Sequence, residues 1–252
     1  MSMSQVETKS EVQIPIPSFD ELLKSGVHIG HLRRKWNPKM RPYIFAEHKG
    51  IHIIDLNKTR DLLQKATQYV YNVAKQNKKI LFVATKSQAS SIVRQAAESV
   101  NMPYVTERWL GGMLTNFATI RRSVRKMENI ERILKDESVT TLTKKERLLL
   151  QREKAKLQKV LGGVLDLTRL PTALYIVDIH YEHLAVKEAL RLGIPTVAMV
   201  DTNTDPTLVD FPIPANDDSA YSIKIITQTI ANAIRLGQEA AQEDSMDMED
   251  DF

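Results

Sequence analysis

The sequence contains no cysteine, and this absence removes several classes of function at once. Disulfides, thiolate zinc sites, iron–sulfur clusters and cysteine nucleophiles all require a thiol. No uncharged apolar run is long enough to cross a bilayer, and the polar stretch from Met1 to Glu11 lacks the apolar core of a signal peptide. We therefore expect a cytoplasmic protein that is neither inserted in a membrane nor exported.

What the sequence does contain is close to an average globular mixture. It has 252 residues, of which 42% are hydrophobic and 26% are charged. This composition argues against a disordered, collagenous or solenoid-like chain. The length predicts one large or two modest domains with a packed core.

The net charge of +4 is unevenly distributed along the chain. Residues 239–252 carry seven acids and no Lys or Arg, which leaves a net charge of +11 on the remainder. Such asymmetry is typical of a basic domain that meets a polyanion, with an acidic tail beside it. The tail has too few apolar residues to offset its ordering entropy, so we expect it to be disordered. The alternative for the basic body is that its lysines only keep the surface soluble.

Strand-like and helix-like segments alternate along most of the chain. The alternation predicts an α/β fold, in which a parallel sheet has helices on both faces. Thr85 to Gln88 has the pattern of a capping box, and Gly193 that of a helix stop. The predicted strand and helix pairs are 51–54 with 57–75, 79–84 with a helix to about Val100, and 173–177 with 183–192; a strand at 195–200 and a closing helix at 217–241 follow.

A different pattern occupies residues 116–161. Apolar residues recur every three or four positions, which predicts a long amphipathic helix; they are Leu114, Phe117, Ile120, Val124, Met127, Ile130 and Leu134. Residues 136–142 break this helix, and Thr143 with Glu146 forms a second capping box. A returning helix then carries Leu150, Leu157 and Leu161 on one face and ends at Gly162. We expect an inserted antiparallel helical hairpin, a coiled coil.

The predicted hairpin holds most of the excess positive charge. Residues 119–159 contain thirteen Lys and Arg against six Asp and Glu, a net charge of +7. The expected organisation is then an N-terminal extension (1–17), an α/β domain (18–115 and 162–238), the hairpin (116–161) and the acidic tail (239–252).

Residues 26–41 form a loop-like stretch with five bases and no acid. Arg and Lys match phosphate oxygens, and an aromatic among them suits RNA with exposed bases. The candidate RNA contacts here are Arg33, Arg34, Lys35, Trp36, Lys39 and Arg41. The alternative is that Trp36 packs into the core and the bases form a solvated rim.

Residues 107–117 contain Gly111 and Gly112 just before the predicted hairpin. Glycines at a helix N-terminus can hold an anion, although they can equally serve packing alone. Arg108 in this run is a further candidate RNA contact. Arg121, Arg122 and Arg125 complete the set, because their spacing places them on nearly one helical face, away from the apolar stripe.

Six segments resemble, in the right order, the bacterial-type ribosomal protein S2 family of the small subunit. They are 26–31 (GVHIGH), 35–40 (KWNPKM), 51–56 (IHIIDL), 108–117 (RWLGGMLTNF), 200–206 (VDTNTDP) and 213–218 (IPANDD). The resemblance spans about Phe19 to Gly237. The segment before Phe19 and the tail after Gly237 depart from the family pattern.

The resemblance implies a flavodoxin-like or Rossmann-like parallel sheet interrupted by a helical hairpin. It also implies a non-catalytic constituent of the small ribosomal subunit that binds small-subunit ribosomal RNA and needs no cofactor. Such a protein joins the subunit late, near its head and back, contacts neighbouring ribosomal proteins and helps to tether ribosomal protein S1.

The competing hypothesis is an α/β enzyme that binds a small molecule or a nucleotide. Asp178, His180 and His183, together with Asp201 and Asp205, follow predicted strands at the sheet edge where such folds hold ligands. No phosphate-binding glycine motif and no nucleophile elbow accompanies them. The fold alone does not imply chemistry, so catalysis is the weaker hypothesis.

A further hypothesis is a site for a divalent cation, with zinc as the expected metal. The candidate ligands are His28, His31, Asp201 and Asp218, because the N-terminal loop and the turn at 216–218 should reach the same sheet edge. The alternative is structural: His28 packs beneath Gly30, Asp201 caps a turn, and Asp217 or Asp218 caps the last helix.

Overall fold

The structure is a computed structural model that describes residues 14–135 and 143–250, with side chains of the final helix described as far as Asp244. Residues 1–13, which make up most of the predicted N-terminal extension, lie outside the described residues. The predicted break at 136–142 and the last two residues of the acidic tail do so as well.

The described chain opens with a short helix and a small antiparallel sheet. Helix α1 (Phe19–Lys24) has a capping box made by Ser18 and Glu21. Strands β1 (Ile29–Leu32), β2 (Ile44–His48) and β3 (Ile51–Ile54) pair antiparallel in the order β1-β3-β2. Lys49 and Gly50, with φ of 49° and 78°, form the tight turn between β2 and β3.

The place of β3 corrects the sequence analysis. We expected the strand at 51–54 to belong to the parallel sheet, but it is the centre of the antiparallel one. The helix after it, α2 (Leu56–Lys75), does follow as predicted. Residues 51–54 do form a strand, as the apolar pattern predicts. Its neighbours in the sheet are β1 and β2, and the sequence has no strand signal for either of them.

A five-stranded sheet forms the centre of the protein, and all its neighbouring strands are parallel. This confirms the α/β class. The order β5-β4-β6-β7-β8 corresponds to 2-1-3-4-5 in chain order, the order of flavodoxin-like doubly wound sheets. The strands are β4 (Ile80–Val83), β5 (Tyr104–Val105), β6 (Ala173–Val177), β7 (Thr196–Val200) and β8 (Phe211–Pro214).

The apolar runs in the sequence predict the three central strands but neither of the edge strands. Strand β5 has two residues, and β8 contains Pro212 and Pro214, so neither has the apolar run of a buried strand. Proline is tolerated in β8 because an edge strand need not donate every ladder hydrogen bond.

Helices cover both faces of this sheet. Alternate residues of β4 show the division: Ile80 and Phe82 lie in one core cluster, and Leu81 and Val83 in the other. The first cluster includes residues of α2, α3 (Ser87–Ser99) and α7 (Ala220–Asp250). The second includes residues of α4 (Phe117–Lys135) and α6 (His183–Leu192). Strands buried on both faces explain the continuous apolar runs.

Of two predicted helix boundaries, the end of α6 is confirmed and the capping box at the start of α3 is wrong. Helix α6 stops at Gly193, which adopts φ of 65° as expected for a C-terminal glycine. The capping box predicted at Thr85 to Gln88 does not form, because Lys86 is the N-cap residue and makes no side-chain cap. The Thr85 N–H instead donates to the Glu182 carboxylate.

Helices α4 and α5 (Lys144–Leu161) lie against each other. Ile120, Val124, Met127 and Ile130 of α4 are buried, and the capping box of Thr143 and Glu146 begins α5 as predicted. Salt bridges join Lys126 to Glu153 and Lys154 to Glu131. In α5 only Leu161 is fully buried, while Leu150 and Leu157 are half-buried.

The closing helix is longer than predicted. It begins at Ala220 instead of Asp217 and continues to Asp250, so the expectation of a disordered tail from residue 239 is wrong for the described part. Ala241 is 7% exposed, and Lys75 of α2 pairs with Asp244 at 2.9 Å. Packing against α2 therefore accompanies the ordering of the first acidic residues. Within the described residues, no helix has both the length and the apolarity needed for a membrane span.

Candidate functional site

The carboxyl edge of the parallel sheet collects charged side chains from four strands. Because the strands run in one direction, the residues that follow β4, β6, β7 and β8 emerge together. The Lys86 ammonium lies 3.0 Å from Asp178 Oδ2, 2.9 Å from Asp217 Oδ1 and 2.7 Å from Asp218 Oδ1. Lys86 and Asp178 follow β4 and β6, the two strands between which the strand order reverses.

Burial makes this cluster strongly interdependent. Asp217 is fully buried, and desolvation together with the charges of Asp201 and Asp178 raises its pKa to about 7 despite the nearby Lys86. Burial disfavours the charged form of Lys86, but hydrogen bonds to Asp218 and the charge of Asp217 outweigh it and raise the Lys86 pKa. The cation and the carboxylates therefore hold one another in place.

His31 of β1 extends the cluster from the N-terminal side. Its Nδ1 lies 3.1 Å from Asp201 Oδ1, and its Nε2 lies 3.4 Å from Asp218 Oδ2. The hydrogen bond to Asp201 raises the His31 pKa, although desolvation opposes it. Gly30 allows this approach, since a Cβ there would come within 2.6 Å of the Thr202 methyl group.

One group of described residues has the geometry of a cation site: His31, Asp201 and Asp217, whose ligand atoms lie within 4.8 Å of one another. Asp217 Oδ2 is buried and has no hydrogen-bond partner in the structure. An unsatisfied buried carboxylate oxygen fits a cation, because such groups normally find a partner. The donor set of one imidazole and carboxylates suits zinc.

The predicted ligand set is therefore brought together only in part. His31 and Asp201 belong to the group, and Asp218 contacts His31, but His28 lies outside it with a buried, unpartnered Nδ1. Asp217 was missed as a ligand. Adjacent aspartates at 217 and 218 gave no sequence signal as to which one faces inward.

The basic N-terminal loop lies on the surface, as two short 3₁₀ segments at Arg33–Lys35 and Pro38–Tyr43. Arg34, Lys35 and Arg41 are exposed and form no salt bridge with another described residue. Arg33 pairs with Glu47 at 3.4 Å, and Lys39 with Asp205 at 2.6 Å.

Trp36 occupies a position between the two alternatives raised by the sequence. It is half-buried, and its ring centroid lies 5.1 Å from that of buried His52. One part of the indole therefore packs on the protein while the remainder meets solvent.

The three arginines of α4 do not behave alike. Arg122 and Arg125 are exposed and form no salt bridge with another described residue. Arg121 is half-buried and donates to the Leu165 carbonyl at 2.7 Å. The spacing predicts one helical face for all three arginines. The chain that follows α5 passes close to Arg121, however, so its guanidinium donates to that backbone and not only to solvent. Arg108 is exposed beside buried Trp109.

Comparison with known proteins gives this geometry a context. A family model described as ribosomal protein S2 matches residues 22–237. The chain belongs to the ribosomal protein S2 family. Three relatives named small ribosomal subunit protein uS2 agree. That of Cytophaga hutchinsonii is 55% identical and covers 92% of each chain. That of Amoebophilus asiaticus is 58% identical over 89% of this chain and 72% of its own. That of Chloroherpeton thalassium is 55% identical over 91% of each.

The loop that carries the longest segment of the S2-family resemblance closes on a carboxylate that sequence reasoning missed. Glu188 of α6 accepts hydrogen bonds from Trp109, Gly112, Leu114 and Thr115. Desolvation raises the pKa of Glu188, but these hydrogen bonds outweigh it, so the net pKa is lowered. The anion site suspected at Gly111 and Gly112 is thus filled by the protein itself. A lone Glu on a helix gave no sequence signal of this role.

Proposed function

We propose that this protein is a structural constituent of the small ribosomal subunit and that it binds small-subunit ribosomal RNA through its exposed bases. The supporting observation is a set of exposed arginines and lysines that form no salt bridge with another described residue. They occur on the N-terminal loop, on the loop before α4, and on α4 and α5: Arg34, Lys35, Arg41, Arg108, Arg122, Arg125, Arg152 and Lys156. Uncompensated surface bases favour a polyanionic partner.

We further propose that α4 and α5 form an antiparallel helical hairpin that projects basic residues from the α/β domain. The interhelical contacts support this arrangement. The Leu134 carbonyl, near the end of α4, accepts a hydrogen bond from Arg147, near the start of α5. At the other end, Lys159 of α5 forms a salt bridge with Glu107, which precedes α4. The proposed domain division therefore keeps the hairpin at 116–161 as an insertion.

The enzyme alternative finds little support at the carboxyl edge of the sheet. The crevice where a doubly wound sheet would hold a ligand contains the pair of Lys86 and Asp178, both largely buried. The N-terminal loop also covers this edge, with the Asn37 N–H donating to the Thr202 carbonyl at 2.8 Å. Members of the family are ribosomal proteins, which agrees with a non-catalytic role and a location on the ribosome.

Co-sedimentation tests the ribosomal role directly. Tagged protein in a cell lysate should migrate with the small subunit in a sucrose gradient. Binding of purified protein to small-subunit ribosomal RNA should weaken linearly with salt on a log–log plot, because each phosphate contact releases counterions. Affinity that does not change with salt, or protein found only in the free pool, would contradict the proposal.

We also propose that the outer face of the small antiparallel sheet contacts neighbouring ribosomal proteins, including ribosomal protein S1. Pairing places Ile29, Leu32, Ile51 and Ile53 on one face, and Ile29 and Leu32 are exposed. Phe45 on β2 is 75% exposed. Such an apolar surface beside basic residues fits a protein partner. Small subunits carrying Phe45→Ala should retain less S1 than the unmodified particle, whereas exposed Tyr221→Ala should retain as much.

We also propose that a zinc ion binds His31, Asp201 and Asp217 at the carboxyl edge of the sheet. The Asp217 Oδ2 atom, which has no hydrogen-bond partner, supports this site. The Lys86 ammonium pairs with the other oxygen, Oδ1, and already offsets part of the negative charge there. Bound zinc would link β1 to the carboxyl edge of the parallel sheet. Elemental analysis should find about one zinc per chain in protein purified without chelator, and His31→Ala should abolish it. His28→Ala is the matched control and should retain it; zinc far below one per chain would refute the site.

A further inference from the structure

The carboxylate of Glu188 is surrounded by donors from a single loop. One oxygen, Oε1, accepts from Trp109 Nε1 at 3.1 Å and from the Gly112 N–H at 2.8 Å. The other, Oε2, accepts from the Leu114 N–H at 2.9 Å, and from the Thr115 N–H and hydroxyl at 3.0 and 3.1 Å. A carboxylate offers about four lone-pair sites, so both oxygens are saturated.

The conformation of this loop depends on the charge at its centre. Three backbone N–H groups converge with the indole N–H, and without an acceptor they would be left unpaired or would turn towards water. Gly112 has φ of 83°, and a Cβ there would lie 3.2 Å from the Asn116 Cβ. Helix α4 begins shortly after, and its N-terminal dipole adds further preference for a negative charge.

The loop joins three of the proposed RNA contacts to the core. Arg108 is exposed directly before Trp109, which is 6% exposed and held by Glu188. Beyond Thr115 the chain enters α4, which carries Arg122 and Arg125. Glu188 itself is fixed, because its neighbours Ala185 and Ala189 on α6 are buried against the sheet. A single side chain therefore links the sheet layer to the base of the basic helices.

We propose that Glu188 is a positioning residue for RNA binding: its carboxylate acts as an internal anion that holds the loop at 109–115, and thereby sets the direction of Arg108 and of α4. The inference rests on the proposed RNA-binding function. Beyond that function, Glu188 controls the affinity for RNA through the loop, although it makes no RNA contact of its own. The lowered pKa of Glu188 agrees with a carboxylate that stays ionised.

Charge-neutral replacement separates this role from simple electrostatics. Glu188→Gln keeps the volume but places an amide NH₂ against donors, while Glu98→Gln on α3 makes the same charge change at an exposed salt bridge with Arg94. We expect Glu188→Gln to weaken binding to in vitro transcribed small-subunit ribosomal RNA about tenfold and Glu98→Gln to leave it unchanged. Equal affinities for the two variants would overturn the proposal.

Rescue by a small anion provides a readout that a purely structural role would not give. Glu188→Ala removes the carboxylate and opens space beside the donors. Added acetate should restore part of its RNA affinity, whereas chloride at the same ionic strength should not, and neither salt should improve Glu98→Ala. Absence of an acetate-specific effect would count against the internal anion. If Glu188→Ala does not fold, Glu188→Gln still decides through its affinity.

Amide exchange in the free protein separates the effect of Glu188 on the loop from its effect on RNA binding. The N–H groups of Gly112, Leu114 and Thr115 should exchange faster in Glu188→Gln than in the unmodified protein, with no RNA present. Faster exchange with unchanged RNA affinity would mean that Glu188 is structural only, which refutes the positioning role alone. Failure of the unmodified protein to bind RNA would refute the proposed function and this inference together.

Discussion

Two regions of this protein concentrate charge, and they treat it in opposite ways. At the carboxyl edge of the parallel sheet, Lys86 is surrounded by Asp178, Asp217 and Asp218, and buried charge is compensated within a few ångströms. On the outside of α4 and α5, bases such as Arg122 and Arg125 are exposed without a salt bridge to another described residue. In the first region each charge has an opposite charge beside it within the protein, and in the second the charge is left available to a partner molecule.

The physical reason for this difference is desolvation. A buried ion must be paired because removing it from water costs several kcal/mol. An exposed ion keeps its hydration, so it needs no internal partner and can exchange water for phosphate. Mutations of the two regions should therefore separate stability from RNA binding.

The largest expected effect is on the buried side. Lys86→Met would leave three carboxylates without their shared cation, and we expect the free energy of unfolding to fall by about 3–5 kcal/mol. Urea denaturation followed by circular dichroism measures this change. Lys65→Met, at an exposed position of α2, is the control and should change stability by less than about 0.5 kcal/mol. A similar small change for Lys86→Met would show that the cluster does not stabilise the fold.

The reverse behaviour is expected on the exposed side. Arg122→Ala combined with Arg125→Ala should weaken binding to small-subunit ribosomal RNA by about ten- to a hundredfold and reduce the salt slope by about one to two, because two of the proposed phosphate contacts would be lost. Filter binding at several salt concentrations measures both quantities. Arg60→Ala combined with Lys65→Ala removes the same charge from α2 and should have little effect. Equal losses from both double variants would indicate unspecific attraction.

Arg121 is a basic residue of α4 that has a hydrogen-bond partner within the protein. Its bond to the Leu165 carbonyl predicts that Arg121→Ala lowers the free energy of unfolding by about 1–2 kcal/mol, the scale of a hydrogen bond from a charged donor. Arg122→Ala, one residue further along α4, should leave the melting temperature unchanged. If Arg121→Ala also leaves the melting temperature unchanged, the hydrogen bond to the Leu165 carbonyl does not stabilise the fold.

Glu188 predicts a dependence of stability on pH. Its folded-state pKa is lowered from 4.5, so the unfolded chain binds the proton first as the pH falls. Its stabilising contribution is complete above the ordinary pKa and is lost as the pH falls through the folded-state pKa. The difference in stability between the unmodified protein and Glu188→Gln should therefore shrink between neutral and acidic pH. A constant difference in chemical denaturation across that range would contradict the assignment.

The smallest effect is expected at the acidic end of the chain. Removal of residues 245–252 takes away four acids but spares Ala241 and the pair of Lys75 and Asp244, so stability should change by less than about 0.5 kcal/mol. Non-specific RNA binding should rise slightly if the tail shields the basic body. Truncation after Gly237 removes the packed residues as well and should be more destabilising. An unchanged RNA background would remove the shielding role.

The sequence alone determined the features that depend on local pattern. Apolar runs of four or five residues identified β4, β6 and β7, and a period of three to four identified α4, because burial on two faces or on one leaves a direct trace in residue order. Gly193 and the capping box of Thr143 mark helix ends through their own backbone requirements. The family resemblance was likewise carried by contiguous segments.

Only the tertiary structure decided which distant residues meet. It paired β3 with β1 and β2, turned Asp217 towards His31 while His28 stayed apart, and used Lys86 as a shared cation where a helix cap was expected. It also brought Glu188 to a loop more than seventy residues earlier in the chain. These contacts follow from strand order and from the energetic need to pair every buried charge and donor, and a single sequence records neither.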